Sequence, residues 1–238
     1  MCSLSKRLIP AFGICLLASV QMANADQNRV YIEQSGVGNS LFIDQTDAKS
    51  STVGGLTIQP SSISAVDPNT LNNNLEIDSL GFAPADVAVQ SGGGNEADVI
   101  ISGSNGTVRL YQSNPNFDPG TNSASVNLDG NGLAAIGQVG FGNTALLTVS
   151  DSGSSGTILQ SGNENKANLG VSRGNTGLIS QVGNNNTTTL DVDGVETSVS
   201  YFVQGNNLTA INPQQGVQVL SNASSVTITQ TSIVGGGG

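Results

Sequence analysis

The chain has no histidine and no tryptophan, and its only two cysteines, Cys2 and Cys15, stand within the first fifteen residues. Those absences exclude a Ser-His-Asp or Cys-His nucleophile, a His or Cys metal cage and a disulfide framework. Charge is scarce as well: Asp, Glu, Lys and Arg make up 10% of the 238 residues, against about 25% in ordinary globular domains. What charge there is has one sign, with 7 Lys+Arg against 17 Asp+Glu and a net charge of −10. Nucleic-acid binding needs a basic footprint, and none is present. Glycine is plentiful instead, with 31 residues. No enzymatic activity and no cofactor are expected, and function is expected to reside in a scaffold rather than a pocket.

The N-terminus reads as an export signal. Lys6 and Arg7 precede an apolar run from Leu8 to Val20, and Ala23-Asn24-Ala25 has the small-x-small form of a cleavage site. Pro10 and Gly13 interrupt that run, which is too short for a transmembrane helix. Cleavage after Ala25 removes both cysteines and two cations, so the mature chain has a net charge of −12. Residues 1–25 are therefore expected to be a signal peptide and 26–238 one secreted domain, with no membrane span in the mature chain and no disulfide to stabilise it.

The rest of the chain repeats. Gln-x-Gly-x-x-Asn occurs at Gln34/Gly36/Asn39, Gln90/Gly92/Asn95, Gln138/Gly140/Asn143, Gln160/Gly162/Asn165 and Gln181/Gly183/Asn186, with a shortened form at Gln204/Asn207. Successive glutamines from Gln138 are 22, 21 and 23 residues apart, and Gln90 to Gln112 is another 22, although Gln112 lacks the following glycine. Small or apolar residues stand two before each Gln (Ile32, Ala88, Ile136, Ile158, Ile179, Phe202), and alternating ones follow each Asn, as in Ala145-x-Leu147-x-Val149. Alternation at period two predicts strands with one buried face, and the glycine predicts a tight arch between them. One arch cannot bury its apolar face, but stacked arches can, at the roughly 4.8 Å strand spacing. The expected fold is all-β: a solenoid of about six strand-turn-strand repeats of about 22 residues, forming two facing parallel sheets. Inward Gln and Asn side chains are expected to form amide ladders, since each primary amide can donate to one neighbour and accept from the other. Gln45, closing the first repeat, is expected to join them.

These units resemble the curlin repeat of bacterial curli subunits, Ser-x5-Gln-x-Gly-x2-Asn-x-Ala-x3-Gln. Gln34, Gly36, Asn39 and Gln45 match it, with Leu41 in the Ala place; Ser154, Gln160, Gly162, Asn165 and Ala167 match it in another repeat. Elsewhere the closing Gln becomes Ile101, Val149, Val171 or Val192, and the opening Ser becomes Asn28, Pro84, Gly132 or Asn175. The resemblance covers roughly residues 28–45 and 85–230. It implies a secreted, extracellular subunit of cell-surface amyloid fibres (a fimbrium) serving adhesion and biofilm matrix. The partners it implies are further copies of itself, a nucleating subunit, and an outer-membrane secretion pore with accessory chaperones.

Two segments break the period. Residues 47–84, with Pro60, Pro68 and Asn72-Asn73-Asn74, and residues 113–132, with Pro115 and Pro119, are expected to be irregular insertions. Gly235–Gly238 is expected to be a flexible tail. Tyr31 and Tyr201, each three residues before a repeat Gln, are expected to face outward. Asp191 and Asp193 lack the further ligands of a calcium loop and are read as solvated turn acids. Competing readings are a minor nucleating subunit of the same fibres, a monomeric β-solenoid adhesin or glycan-binding module, and, furthest from the pattern, a solenoid polysaccharide-cleaving enzyme.

Overall fold

The computed structural model describes residues 27–58, 82–116, 119–193, 197–210, 217–219 and 225–231. The expected signal peptide, the Pro60–Asn74 stretch and the glycine tail lie outside these residues. Every regular element among them is a β-strand, and the strands stack in two parallel sheets.

The first sheet begins with β1 (Arg29–Val30) and β2 (Ile32–Val37), continues through β5 (Thr52–Ile58), β7 (Ala88–Gly93), β9 (Thr107–Asn114), β11 (Leu133–Val139), β13 (Ser155–Ser161), β15 (Thr176–Val182) and β17 (Ser198–Gln204), and ends at β20 (Ser225–Thr231). The second sheet stacks β3 (Ser40–Asp44), β8 (Asn95–Ser104), β10 (Asn122–Asp129), β12 (Thr144–Val149), β14 (Lys166–Val171), β16 (Thr187–Val192) and β18 (Thr209–Ala210) in that order. Short β4 (Ala48–Lys49) joins β8, β6 (Phe82–Ala85) runs antiparallel to β5, and β19 (Val217–Val219) joins β16. The chain thus alternates between sheets and climbs one strand per turn. The first sheet has eight levels, more than the six or so expected, because Thr107–Asn114 and Ser225–Thr231 lack the full motif yet form levels of their own.

Register keeps like over like. Ala97, Ala124, Ala145 and Ala167 form one inward column of the second sheet; Val99, Val126, Leu147, Leu169 and Leu190 form the next. Opposite them, Leu110, Ile136, Ile158 and Ile179 stack in the first sheet. All are buried, and each of the large ones stabilises the fold by roughly 1.5–3 kcal/mol through area removed from water. Small residues meet large ones across the seam. A Cβ on Gly156 would lie 2.6 Å from Leu147 Cδ1, and one on Gly177 2.7 Å from Val171 Cγ2. The leucine column needs those gaps.

The two expected insertions are smaller than their sequence suggested. Residues 47–84 include β4, β5 and β6, and Thr52–Gly55 pair in register with Thr107–Leu110. Val89–Gly92 then take over against Tyr111–Asn114. The excursion leaves and rejoins in the middle of one strand. Gly55 permits the exchange, because a Cβ there would lie 1.7 Å from Val87 O. Consequently Ser51, not Pro84, occupies the opening place of this level: its amide hydrogen-bonds Asn28 Oδ1 below, and its hydroxyl accepts from Gly106 N above. Residues 113–132 contain β10, a full ladder strand. The arch from Gln112 to Asn122 has ten residue steps where the others have five, which hid Asn122 from a fixed spacing.

Candidate functional site: amide ladders and open edges

Glutamines 34, 90, 112, 138, 160 and 181 stand in one column of the first sheet. The first five each donate from Nε2 to the Oε1 of the next level: Gln34 to Gln90, Gln90 to Gln112 at 2.7 Å, Gln112 to Gln138 at 2.8 Å, Gln138 to Gln160 at 2.9 Å, and Gln160 to Gln181 at 2.8 Å. The second amide hydrogen crosses to a carbonyl of the second sheet, as in Gln138 to Ser123 O and Gln160 to Thr144 O, both 3.0 Å. From Gln90 to Gln181, each glutamine therefore ties levels together and ties the sheets to each other at the arch.

The asparagines run the other way. Nδ2 of Asn95 donates to Asn39 Oδ1 at 2.9 Å, and Asn122, Asn143, Asn165 and Asn186 each donate to the Asn one level earlier at 3.0–3.1 Å. The oxygens of Asn39, Asn122, Asn143 and Asn165 also accept the backbone N–H of the next Asn, whereas Asn122 N donates to Gly94 O; the Nδ2 of Asn143, Asn165 and Asn186 donates to the arch carbonyls of Gly162, Gly183 and Gly205 at 2.8 Å. Gly162 has φ +114°, and a Cβ there would fall 2.0 Å from Gly183 O, so close arch stacking demands glycine. Gly36, Gly92, Gly140 and Gly183 also have positive φ. Satisfied amides of this kind, polarising one another along a column, tolerate burial that would cost about 1–3 kcal/mol for an unpaired group.

Gln204 and Asn207 do not join these ladders. Gln181 pairs with Val203, and Leu208 N reaches Asn186 Oδ1, so this level carries Val and Leu in the amide places and is full-length rather than shortened. Gln204 is exposed, while Asn207 accepts from Asn185 Nδ2 at 2.8 Å in a separate ladder on the outside of the arch. The one-residue shift also reverses two aromatic expectations. Tyr201 points inward beside Ile179 and is 4% exposed, and Phe202 takes the opposite face. Tyr31 does face outward, at 46% exposure. Gln112 and Asn122 are ladder members that motif spacing missed; the 22-residue step from Gln90 and the Ala124-x-Val126-x-Leu128 alternation were the available signals. Asp193 accepts from Ser172 Oγ and pairs with Arg173 at 3.1 Å.

The stack is open at both ends among the described residues. β1 and β2 pair only with β5 and β7, and β20 pairs only with β17. Among the described residues, four of the six exposed large hydrophobics, Val30, Tyr31, Val37 and Phe42, belong to the first level. Gln45, also at that level, has a buried Nε2 with no hydrogen-bond partner. No helix among the described residues is long and apolar enough to cross a membrane. Scans of protein-family models, of curated proteins and of solved structures found no match to this chain.

Proposed function

We propose that the protein is a secreted structural subunit that assembles end to end into extracellular, curli-like amyloid fibres. One observation carries this reading. The first and last strands of the first sheet's stack carry the same triplet at the same register: Val30-x-Ile32-x-Gln34 at the start and Val226-x-Ile228-x-Gln230 at the end. No interior level has that triplet. Its columns vary between the ends, through Val108-x-Leu110-x-Gln112, Ala134-x-Ile136-x-Gln138 and Val199-x-Tyr201-x-Val203.

Placing Ser225–Thr231 of one copy parallel to Arg29–Ser35 of the next puts valine on valine, isoleucine on isoleucine and glutamine on glutamine. The first sheet ends one strand beyond the second among the described residues, so the joint forms through that overhanging strand. An end-to-end contact between different surfaces does not close and generates a filament. Unpaired strand edges supply the backbone hydrogen bonds, and the glutamine column fixes register. The outward acids and the mature charge of −12 oppose premature association in solution.

The test is the mature chain followed by thioflavin fluorescence, electron microscopy and fibre diffraction. Fibres with the ~4.8 Å strand repeat should appear after a lag that preformed fibres abolish. A chain that stays monomeric at high concentration, seeded or not, refutes the reading.

A further inference from the structure

We infer that the outer face of the first sheet, near its N-terminal edge, carries a binding cleft for an acidic sugar. The mature chain has only five cations, Arg29, Lys49, Arg109, Lys166 and Arg173. Two of them, Arg29 and Arg109, line one cleft of about 370 Å³. That is near the small end of the 300–1,000 Å³ range of ligand sites.

The register explains the cleft. Arg29, Thr52 and Thr107 stack in one column, and Gly54 stacks on Arg109 two residues along, on the same face. The two arginines come from strands two levels apart, about 10 Å along the stack. Between them Gly54 contributes no side chain, and this gap is the floor. A Cβ at Gly54 would lie 3.1 Å from Asp86 O and 3.2 Å from Ala85 O, where the chain comes back from β6 and forms the rim.

The side chains facing this space select a ligand. Neither arginine makes an ion pair among the described residues, whereas Arg173 does. A guanidinium presents planar donors that fit a carboxylate in bidentate fashion, and two of them converging on one gap in a chain of charge −12 are placed to hold an anion against the overall field. Tyr31 borders the cleft with an exposed ring, a flat apolar surface for one face of a pyranose. Thr52 and Thr107 offer hydroxyls, and Asp86 offers an acceptor for sugar hydroxyls. The Asp86 carboxylate disfavours a compact dianion such as phosphate. A hexuronic acid unit, with one carboxylate on a ring of hydroxyls, meets all of these groups. Every lining residue belongs to one chain, and Arg29 and Tyr31 stand on its N-terminal edge, so the inference concerns the unassembled chain.

Trigalacturonic acid and the neutral cellotriose, titrated calorimetrically into the full mature chain at low salt, test it. The uronate should bind and weaken as salt rises, and cellotriose should not bind. Arg29→Gln and Arg109→Gln should each weaken uronate binding roughly tenfold; both residues lie outside the core seam, and unchanged circular dichroism confirms that the variants fold. Tyr31→Ala should weaken it too. Absence of uronate binding, equal binding of cellotriose, or wild-type affinity in both arginine variants overturns the proposal.

Discussion

Gln181 donates to the Thr188 hydroxyl at 2.9 Å, at the level where the glutamine column meets Val203. Thr188 itself stands in the alanine column, between Ala167 and Ala210. The two departures from the repeat compensate each other: the residue above stops offering an amide oxygen, and the facing sheet supplies a hydroxyl instead. Thr188→Ala should therefore cost about 1–2 kcal/mol, because one Gln181 amide hydrogen loses its partner. Val203→Gln on that background should recover most of the loss by restoring the ladder. Denaturation midpoints of the two single variants and the double variant give the coupling; costs that simply add would show that the two positions are independent.

The interior ladder gives a sharper contrast. Gln160→Ala removes the acceptor for Gln138, the donor to Gln181 and the tie to Thr144 O together. A loss of about 2–4 kcal/mol and a longer assembly lag are expected. Gln204→Ala, at an exposed place, should stay within about 0.5 kcal/mol of wild type. Equal effects of the two substitutions, by denaturation or by thioflavin lag, would remove the ladder from the account.

The arch glycines separate two costs that sequence alone merges. Gly162 and Gly153 both have positive φ, but a Cβ on Gly162 meets Gly183 O at 2.0 Å, whereas one on Gly153 meets nothing nearer than 3.8 Å. Gly153→Ala should cost only the left-handed penalty of about 1–2 kcal/mol. Gly162→Ala must also push two arches apart, so its denaturation midpoint should fall well below that of Gly153→Ala.

Much of this architecture was legible because the repeat states it redundantly. Period-two alternation placed β11 to β16, and Gln-x-Gly-x-x-Asn placed five of the six glutamines in the column. The misses share one physical cause, a register set by neighbouring strands rather than by local spacing. Gln112 and Asn122 are joined by a longer arch, yet their partners above and below hold them in column. At Val203 the glycine of the arch, Gly205, keeps its place over Gly183 while the amides on either side are lost, so a search for Gln selected Gln204, one residue out. That slip turned Tyr201 and Phe202 to the wrong faces. The hand-over from Gly55 to Ala88 had no sequence mark beyond two adjacent glycines.

Tyr201, inward by that register, gives a pH dependence of definite sign. Burial raises its phenol above the usual value near 10. The neutral form is the one the fold accepts, so its contribution is complete below the unfolded pKa and is lost as pH rises through the folded one. Stability should decline at alkaline pH together with the phenolate absorbance of Tyr201. Tyr201→Phe should remove that part of the decline, and an unchanged alkaline profile in Tyr201→Phe would place its cause elsewhere.

The matching edge strands make assembly separable into two half-reactions. Ile32→Lys buries a charge at the start of the stack, and Ile228→Lys buries one at its end; both positions lie in the inward column that a further copy would cover. An unpaired charge in a dry seam costs far more than the seam returns. Each variant alone should therefore fail to elongate, by light scattering and by thioflavin fluorescence. Each nevertheless keeps one intact edge. Mixed in equal amounts, the intact β20 of Ile32→Lys and the intact β1–β2 of Ile228→Lys should pair once and stop, giving a heterodimer by sedimentation velocity and no fibre. Substoichiometric amounts of either variant should slow growth of wild-type seeds by occupying one end. A mixture that grows fibres, or one that stays wholly monomeric, would show that the Val-x-Ile-x-Gln strands are not the joint.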